Sequence, residues 1–525
     1  MASPNLIQTL DQQSLESFQR ELLEAGFRGS EGGRRWIGPT FERLREFTDA
    51  QTITIGIRDG WPYIQPDLTV EGLPPLEHVN ERNVVCLWQT GDPSRQWETL
   101  RGWEDRIALW CDRQTEVFYR LDEVTDAHAY FDGEVSALAR MDLSALPAAS
   151  EDGARGKLRG RWRHNDTLLD LQLDKASGQD IKGNWFFRQT IAAPPRNLDE
   201  LRDALTSTQA SRLAQLIDLA KDGKPRVVLL VWDTSHMRNA LVLYLDRHPE
   251  SVVRRSIRGR GGLTPAARVR ARPLEFAPSQ SSSLQLRAGS DAERLAESSV
   301  VVFGAGAIGS HIVLLLAQCG LGSVTVIDGE PLRPGNVVRH VAGQEFVGFA
   351  KPEAVAAVVA QYASWTNVDV INASLWNPAQ IRERVDTHDL VVDATGNAGF
   401  TDQLGHISLQ SEGVLVTATL YRRGRVARIC RQAPGDTPLH ARNDEARYPR
   451  IPRPPEPEPT ILEAGCSAPV NEAPPHFVVA CAALATELIV DALPLPVTLP
   501  DEIIEIYRSL EREPFDKTGR RNSAA

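Results

Sequence analysis

Apolar and polar positions repeat with different periods along the chain, and each period marks a stretch with its own architecture. Between Ser14 and Gly26, Leu15, Phe18 and Leu22 recur at helical spacing, and Gly26 is a natural stop. WIGPTFERLREF and TITIGI follow, with Ile53, Ile55 and Ile57 alternating as in the strands of a small antiparallel sheet, then the turn-rich WPYIQPDL and NVVCLW. Trp97, Leu100, Trp103, Ile107 and Trp110 fit a further helix packed on a core. Together these elements predict an α+β domain over residues 1–125.

From 126 to 290, strand-like text (TLLDLQL, RVVLLVW, ALVLYLD) mixes with helix-like text (LDELRDAL, ASRLAQLIDLA) without a recurring unit or motif. This stretch reads as an α/β linker domain of unassigned role. Within it the basic run Arg254 to Gly262 is a solvated connector, with a phosphate-rich ligand as the alternative. From 291 the text becomes SSVVVF, GAGAIGS, HIVLLLAQCG and SVTVID, a strand, glycine turn, helix and strand, and DLVVDATGN and GVLVTATL continue the alternation. That pattern predicts an α/β fold over 291–525, a mostly parallel, doubly wound sheet of Rossmann-like type. A proline-rich loop at 448–459 precedes a final apolar helix, HFVVACAALATELIVDAL.

The chain of 525 residues exceeds what one hydrophobic core usually holds, in keeping with several domains. Its 58 basic and 69 acidic residues give a net charge of −11, which argues against broad nucleic-acid or anionic-membrane binding. No apolar run approaches the roughly 18 residues needed to cross a bilayer, and MASPNLIQTLDQQ lacks a basic-then-apolar export signal. A cytoplasmic protein with neither nucleic acid nor membrane as partner is expected. The cysteines, Cys86, Cys111, Cys319, Cys430, Cys466 and Cys481, form no CxxC pair, so they are expected as thiols.

Gly304, Gly306 and Gly309 form GxGxxG between a strand and a helix, a turn that presents helix N-terminal amides to phosphate. Asp328, at the end of the second strand, suits ribose hydroxyls. Up to this point an NAD-dependent dehydrogenase fits equally well. Asn336, Arg339 and Lys351 then add polar and cationic groups that suit a triphosphate, and Asp393, at the tip of DLVVDATGN, suits the magnesium that a triphosphate brings.

This ordered set resembles the adenylation domain shared by ubiquitin-activating enzymes and the bacterial activators of sulfur-carrier proteins. The resemblance implies ATP and Mg2+ as cofactors, with Asp328 on the ribose, Asn336, Arg339 and Lys351 on the phosphates and Asp393 on the metal. Glu330 stands where that family often has a second aspartate, and His340 where it often has glutamine. The resemblance also implies that Cys466, in EAGCSAPVNEAPP, takes an acyl group from the adenylate as a thioester. Cys319, Cys430 and Cys481 read as structural.

Near the N-terminus, WPYIQP, EHVN and VVCLW, in that order after a helix and short strands, resemble the ubiquitin-conjugating fold. Cys86 falls at the acceptor position, and His78 and Asn80 at the catalytic tripeptide. Val79 replaces the usual proline, and Asn80 precedes Cys86 by six residues where relatives usually have eight. The full layout resembles the bacterial fusion proteins of cyclic-oligonucleotide antiphage (CBASS) operons. It implies adenylation of a partner protein's C-terminus, thioester formation on Cys466, transfer to Cys86 and isopeptide formation on a target amine. The activated partner would be a cyclic-nucleotide synthase or a small ubiquitin-like protein, and the adenylation domain would pair as a homodimer. A sulfur-carrier activator, a dehydrogenase and a non-enzymatic adaptor are the other readings.

Overall fold

The computed structural model describes all residues except 1–3, 31, 75, 77, 81, 89–92, 116–125, 136, 147–150, 174–179, 234–237, 249–267, 375–376, 455–460, 463–468, 471, 494–496 and 524–525. Cys466 and the basic run 254–262 lie outside the described residues. The chain divides into two compact units, Met1–Gln280 and Ser281–Ala525. Among the described residues no helix is long and apolar enough to cross a membrane.

The first unit opens with the helix Pro4–Glu24, whose Phe18 and Leu22 are wholly buried. Five antiparallel strands follow in chain order as a meander: Arg28–Ser30, Arg35–Pro39, Thr52–Gly56, Asp67–Thr69 and Val84–Val85. Ile53 and Ile55 point inward and Thr52 outward, the alternation a one-sided sheet requires. The helix Leu100–Thr115 adds Trp103, Ile107 and Trp110 to the same core. Trp97 precedes that helix, on the short 3-10 turn Gln96–Glu98. Its indole N–H donates to the Pro62 carbonyl at 2.9 Å, and the Trp103 indole donates to the Trp97 carbonyl at 2.9 Å. Both rings are thereby buried without orphaning their polar atoms.

The rest of this unit closes into a seven-stranded barrel, in the order Arg226–Asp233, Arg238–Arg247, Val269–Pro278, Leu138–Met141, Leu168–Gln172, Arg155–Arg163 and Ile181–Arg188. Side-chain alternation divides it in two. Val227, Leu229 and Val231 fill the interior cluster with Leu158, Leu169 and Phe187. Val228 and Leu230 belong to a second cluster, packed with Leu213 and Leu216 of the helix Ser207–Lys221.

The second unit is built on an eight-stranded sheet, ordered Asn367–Ile371, Ser323–Ile327, Ser299–Phe303, Leu390–Asp393, Leu415–Tyr421, Val426–Gln432, Glu502–Ile506 and Gly519–Asn522. The first five strands run parallel to one another and the last three join antiparallel. Val300 and Val302 face one helical layer, with Ile312 and Leu316, while Val301 and Phe303 face the other, with Ile381 and Leu404. Helices on both faces explain why these strands read as continuous apolar runs, and the expected α/β doubly wound fold is present. Ser299–Phe303 lies between the strands that lead outward in opposite directions, so the carboxyl ends of Ser299–Phe303 and Leu390–Asp393 flank a topological switch point where ligands bind. The final helix, Pro475–Asp491, packs into the first of these layers and buries Cys481, whose thiol is pushed up to about 12 by burial.

Candidate nucleotide and thiol sites

A cavity of about 260 Å³ opens at that switch point, lined among others by Gly304, Gly306, Asp328, Glu330, Lys351 and Asn397. The strand Ser299–Phe303 ends in Gly304, whose φ of +91° favours glycine and where a Cβ would come within 2.9 Å of the Ala394 backbone. Gly309 is needed for a different reason: its Cβ would lie 1.8 Å from the Gly304 carbonyl, so helix and turn could not approach. Gly306 has open space around it and heads the helix Ala307–Gln318, whose first amides lack intrahelical acceptors and carry the positive end of its dipole.

Asp328 ties two loops together. Its Oδ2 accepts from the Ala305 amide at 2.9 Å and its Oδ1 from the Glu330 amide at 2.8 Å, so the carboxylate is held still with acceptor capacity left over. Lys351, 6% exposed at the start of the helix Lys351–Tyr362, places Nζ 2.5 Å from Glu330 Oε2. That hydrogen bond and the ammonium charge hold the Glu330 carboxyl below its usual range. Glu330 thus acts as the resting counterion of the lysine, and an anionic ligand would compete for it.

His340 shapes the turn from beneath. The Ala342 amide donates to its Nδ1 at 3.0 Å, which leaves the ring proton on Nε2, 2.9 Å from the Ala305 carbonyl. Burial pushes the imidazole down to about 4, so it stays neutral and serves as a fixed donor, as a glutamine amide would.

The remaining predicted nucleotide residues stand elsewhere. Asn336 and Arg339 lie on the turn Pro334–Arg339 and are not among the lining residues; Asn336 Oδ1 instead accepts from the Arg333 amide at 3.0 Å. Asp393 is buried beneath the lining residues Ala394 and Thr395. Its Oδ1 accepts from the Thr395 amide at 2.9 Å and hydroxyl at 2.7 Å, and its Oδ2 from the Thr401 hydroxyl. Of about four lone-pair sites on the carboxylate, one on Oδ2 is left for a metal. Magnesium takes one or two carboxylates and completes its shell with water and phosphate oxygens, so this donor set fits it.

In the first unit, Cys86 follows the strand Val84–Val85 and is exposed. The short spacing from Asn80 now has a structural meaning. Val79 bridges Val85, and Asn80 Oδ1 accepts from the Arg82 and Val84 amides at 3.0 and 2.9 Å, so that side chain ties Asn80 closely to the strand that leads to Cys86. Cys86 and Asn80 share a cavity of about 220 Å³ with Arg58, Asp67, Asp126 and Tyr130. Burial and the Asp126 carboxylate push the thiol pKa up, while the Tyr130 hydroxyl, Arg106 and Arg58 oppose them. His78, with φ of 60°, does not line this cavity, but its Nδ1 is 3.5 Å from the Tyr130 hydroxyl.

Sequence reasoning noted Glu330 only as a departure from the family pattern and missed Asp126 and Tyr130. Both fall just past the expected boundary at 125, in text without a motif.

Residues 280–491 match the model of the ThiF family. The adenylyltransferase and sulfurtransferase MOCS3-1 of Zea mays is 34% identical over 105 residues, 20% of this chain and 22% of that protein. The ATP-dependent ubiquitin transferase-like protein Cap2 of Enterobacter hormaechei subsp. hoffmannii (strain UCI 50) is 23% identical over 239 residues, 44% of this chain and 39% of that protein. The chain therefore spans well under half the length of either relative. The solved structure of E. coli MccB with ATP is 17% identical, covers 44% of this chain and 65% of its own, and has a TM-score of 0.35, which adds nothing to the fold described above. On the family match, the second unit carries a ThiF-type adenylation fold.

Proposed function

We propose that the second unit adenylates the C-terminal carboxylate of a partner protein with ATP, and that the acyl group then passes to Cys466, to Cys86 and onto a target amine. The convergence of the Gly304 turn, Asp328 and Lys351 on one cavity at the switch point is the observation that carries this reading. Asp328 would receive the ribose hydroxyls, and the head of the helix Ala307–Gln318 and Lys351 the phosphates, with Lys351 released from Glu330. Arg339 and Asn336 would join only if their turn moves toward the bound triphosphate. Magnesium, anchored by Asp393, would share the phosphate charge.

The chemistry needs positioning more than covalent help from the protein. A carboxylate oxygen attacks the α-phosphorus, the bond to the bridging oxygen breaks, and pyrophosphate leaves. The Cys466 thiolate attacks the acyl carbon and AMP departs. The Cys86 thiolate then displaces Cys466, and an amine displaces Cys86, losing its proton as the amide forms. Tyr130 and Asn80 stand beside the sulfur that carries these last steps, and His78 acts through Tyr130.

The similarity to Cap2, an ATP-dependent ubiquitin transferase-like protein by name, supports a ubiquitin-type transfer that starts from ATP. On this reading the partner is a cyclic-nucleotide synthase of a CBASS operon or a small ubiquitin-like protein, and the enzyme works as a cytoplasmic homodimer without nucleic acid or membrane. The similarity to MOCS3-1 favours a second reading, a sulfur-carrier-type activator with no use for Cys86. Intact-mass analysis with ATP and the products of neighbouring genes separates the two. Cys466→Ala should carry no thioester, and Cys86→Ala should hold one that cannot advance. Undiminished turnover by Cys86→Ala would favour the sulfur-carrier reading.

A further inference from the structure

Beside the nucleotide cavity, two further cavities of the second unit lie in series. The first, about 250 Å³, is lined by Gly396 and Thr401 next to the nucleotide wall, and by Thr417, Thr419 and Arg428. The second, about 370 Å³, shares Tyr421, Arg428 and Asn443 with it. The sheet register explains their common floor. Val416, Ala418 and Leu420 of one strand and Ala427 and Ile429 of the next face the apolar layer that holds the final helix. Thr417 pairs with Cys430 and Thr419 with Arg428 on the opposite face.

The far cavity is strongly cationic. Among its described lining residues, Arg422, Arg428, Arg450 and Arg453 are arginine and none is acidic. Nearby carboxylates compensate only in part. Glu502 Oε2 is shared by Arg428 at 2.9 Å and Arg442 at 3.3 Å. Glu511 stands 3.7 Å from Arg422, and Asp444 stands 3.9 Å from Arg450, both on exposed side chains. The Arg428 Nε–H is buried with no hydrogen-bond partner, and such a donor is costly to leave unmet.

The geometry points to a binding groove for an acidic protein tail, whose side-chain carboxylates pair with Arg428, Arg450 and Arg453 while its terminal carboxylate reaches the nucleotide cavity. This rests on the adenylation reading above and adds the substrate class to it. Guanidinium groups suit carboxylates because they donate in a planar fork. A peptide is favoured over a nucleic acid because the near cavity is a small chamber floored by threonines on a strand face, and the chain carries a net charge of −11.

The test uses the full chain and two short fluorescein-labelled peptides with free C-terminal carboxylates, one rich in glutamate and the other with glutamine at each such position. Fluorescence anisotropy at low salt should show the glutamate peptide binding about tenfold or more tightly, with the difference shrinking as salt rises. Arg450→Gln/Arg453→Gln, on exposed side chains and checked for an unchanged melting temperature, should abolish most of the preference. Equal binding of the two peptides, no binding of the glutamate peptide, an unaffected double variant, or displacement by an oligothymidylate in preference to excess glutamate peptide would each overturn the groove. ATP–pyrophosphate exchange separates it from the reading beneath. Selective peptide binding without exchange in the presence of any partner would keep the groove and sink adenylation, whereas exchange with a partner protein but no preference for acid would do the reverse.

Discussion

The nucleotide cavity and the Cys86 cavity hold their polar groups in opposite ways. In the first, Asp328, Lys351 and His340 are each fixed by short contacts within a parallel sheet and its turns, with charges matched before any ligand arrives. In the second, an exposed thiol is surrounded by groups from separate stretches of chain that push its ionisation in opposing directions. A site that must hold a highly charged nucleotide benefits from preorganised partners. On the proposed function Cys86 would both accept and release an acyl group, a task better served by balance, because a strongly stabilised thiolate is a poor nucleophile.

The sharpest way to break this contrast is at Lys351. Replacing it with alanine removes the cavity's buried cation and strands Glu330, and ATP–pyrophosphate exchange should fall about 10³-fold; a drop below tenfold would mean that the pair is ornamental. Asp328→Ala should lower nucleotide affinity about 10²-fold by calorimetry, since it loses both the proposed ribose acceptor and the link between the Ala305 and Glu330 amides.

His340→Gln tests preorganisation without removing it. The folded imidazole titrates near 4, against 6.5 for an ordinary histidine. As pH falls from 6.5 toward 4 the unfolded chain takes up a proton that the folded one refuses, so stability declines through that window, by about 3 kcal/mol in all. Glutamine can make both hydrogen bonds and has no proton to gain. The variant should therefore bind nucleotide normally and lose this part of the acid-induced fall in melting temperature.

The smallest effects are expected at the thiol. Followed by alkylation of the Cys86 peptide against pH, Asp126→Asn should move the titration down and Tyr130→Phe should move it up, because one removes a repelling charge and the other a stabilising donor. Superimposable profiles for both variants would show that the balance is not set by these residues.

What the sequence disclosed follows the same divide. The glycine turn of Gly304, Gly306 and Gly309 and the strand-end Asp328 were legible because a βαβ unit is local, with each residue fixed by its near neighbours. Glu330 was noticed only as a departure, because its pairing with Lys351 depends on how the loop returns to the next helix. Tyr130 and Asp126 had no signal, because what brings them to Cys86 is packing between distant segments. The same holds for the sheet's antiparallel half. Val426–Gln432 pairs with Glu502–Ile506 across the whole final helix, and long-range pairing leaves no periodic trace. Nor did the strand-like runs of the middle region announce that Leu138–Met141 would pair with Val269–Pro278 and close a ring.

That ring has a consequence for anything that docks on it. A sheet joined end to end leaves lateral amides open only where strands overhang, as at Val269–Leu274, so a visiting chain is recognised mainly through outward side chains, the flanking helix or the connecting loops. The middle of this protein is thereby largely shielded from edge-to-edge self-association.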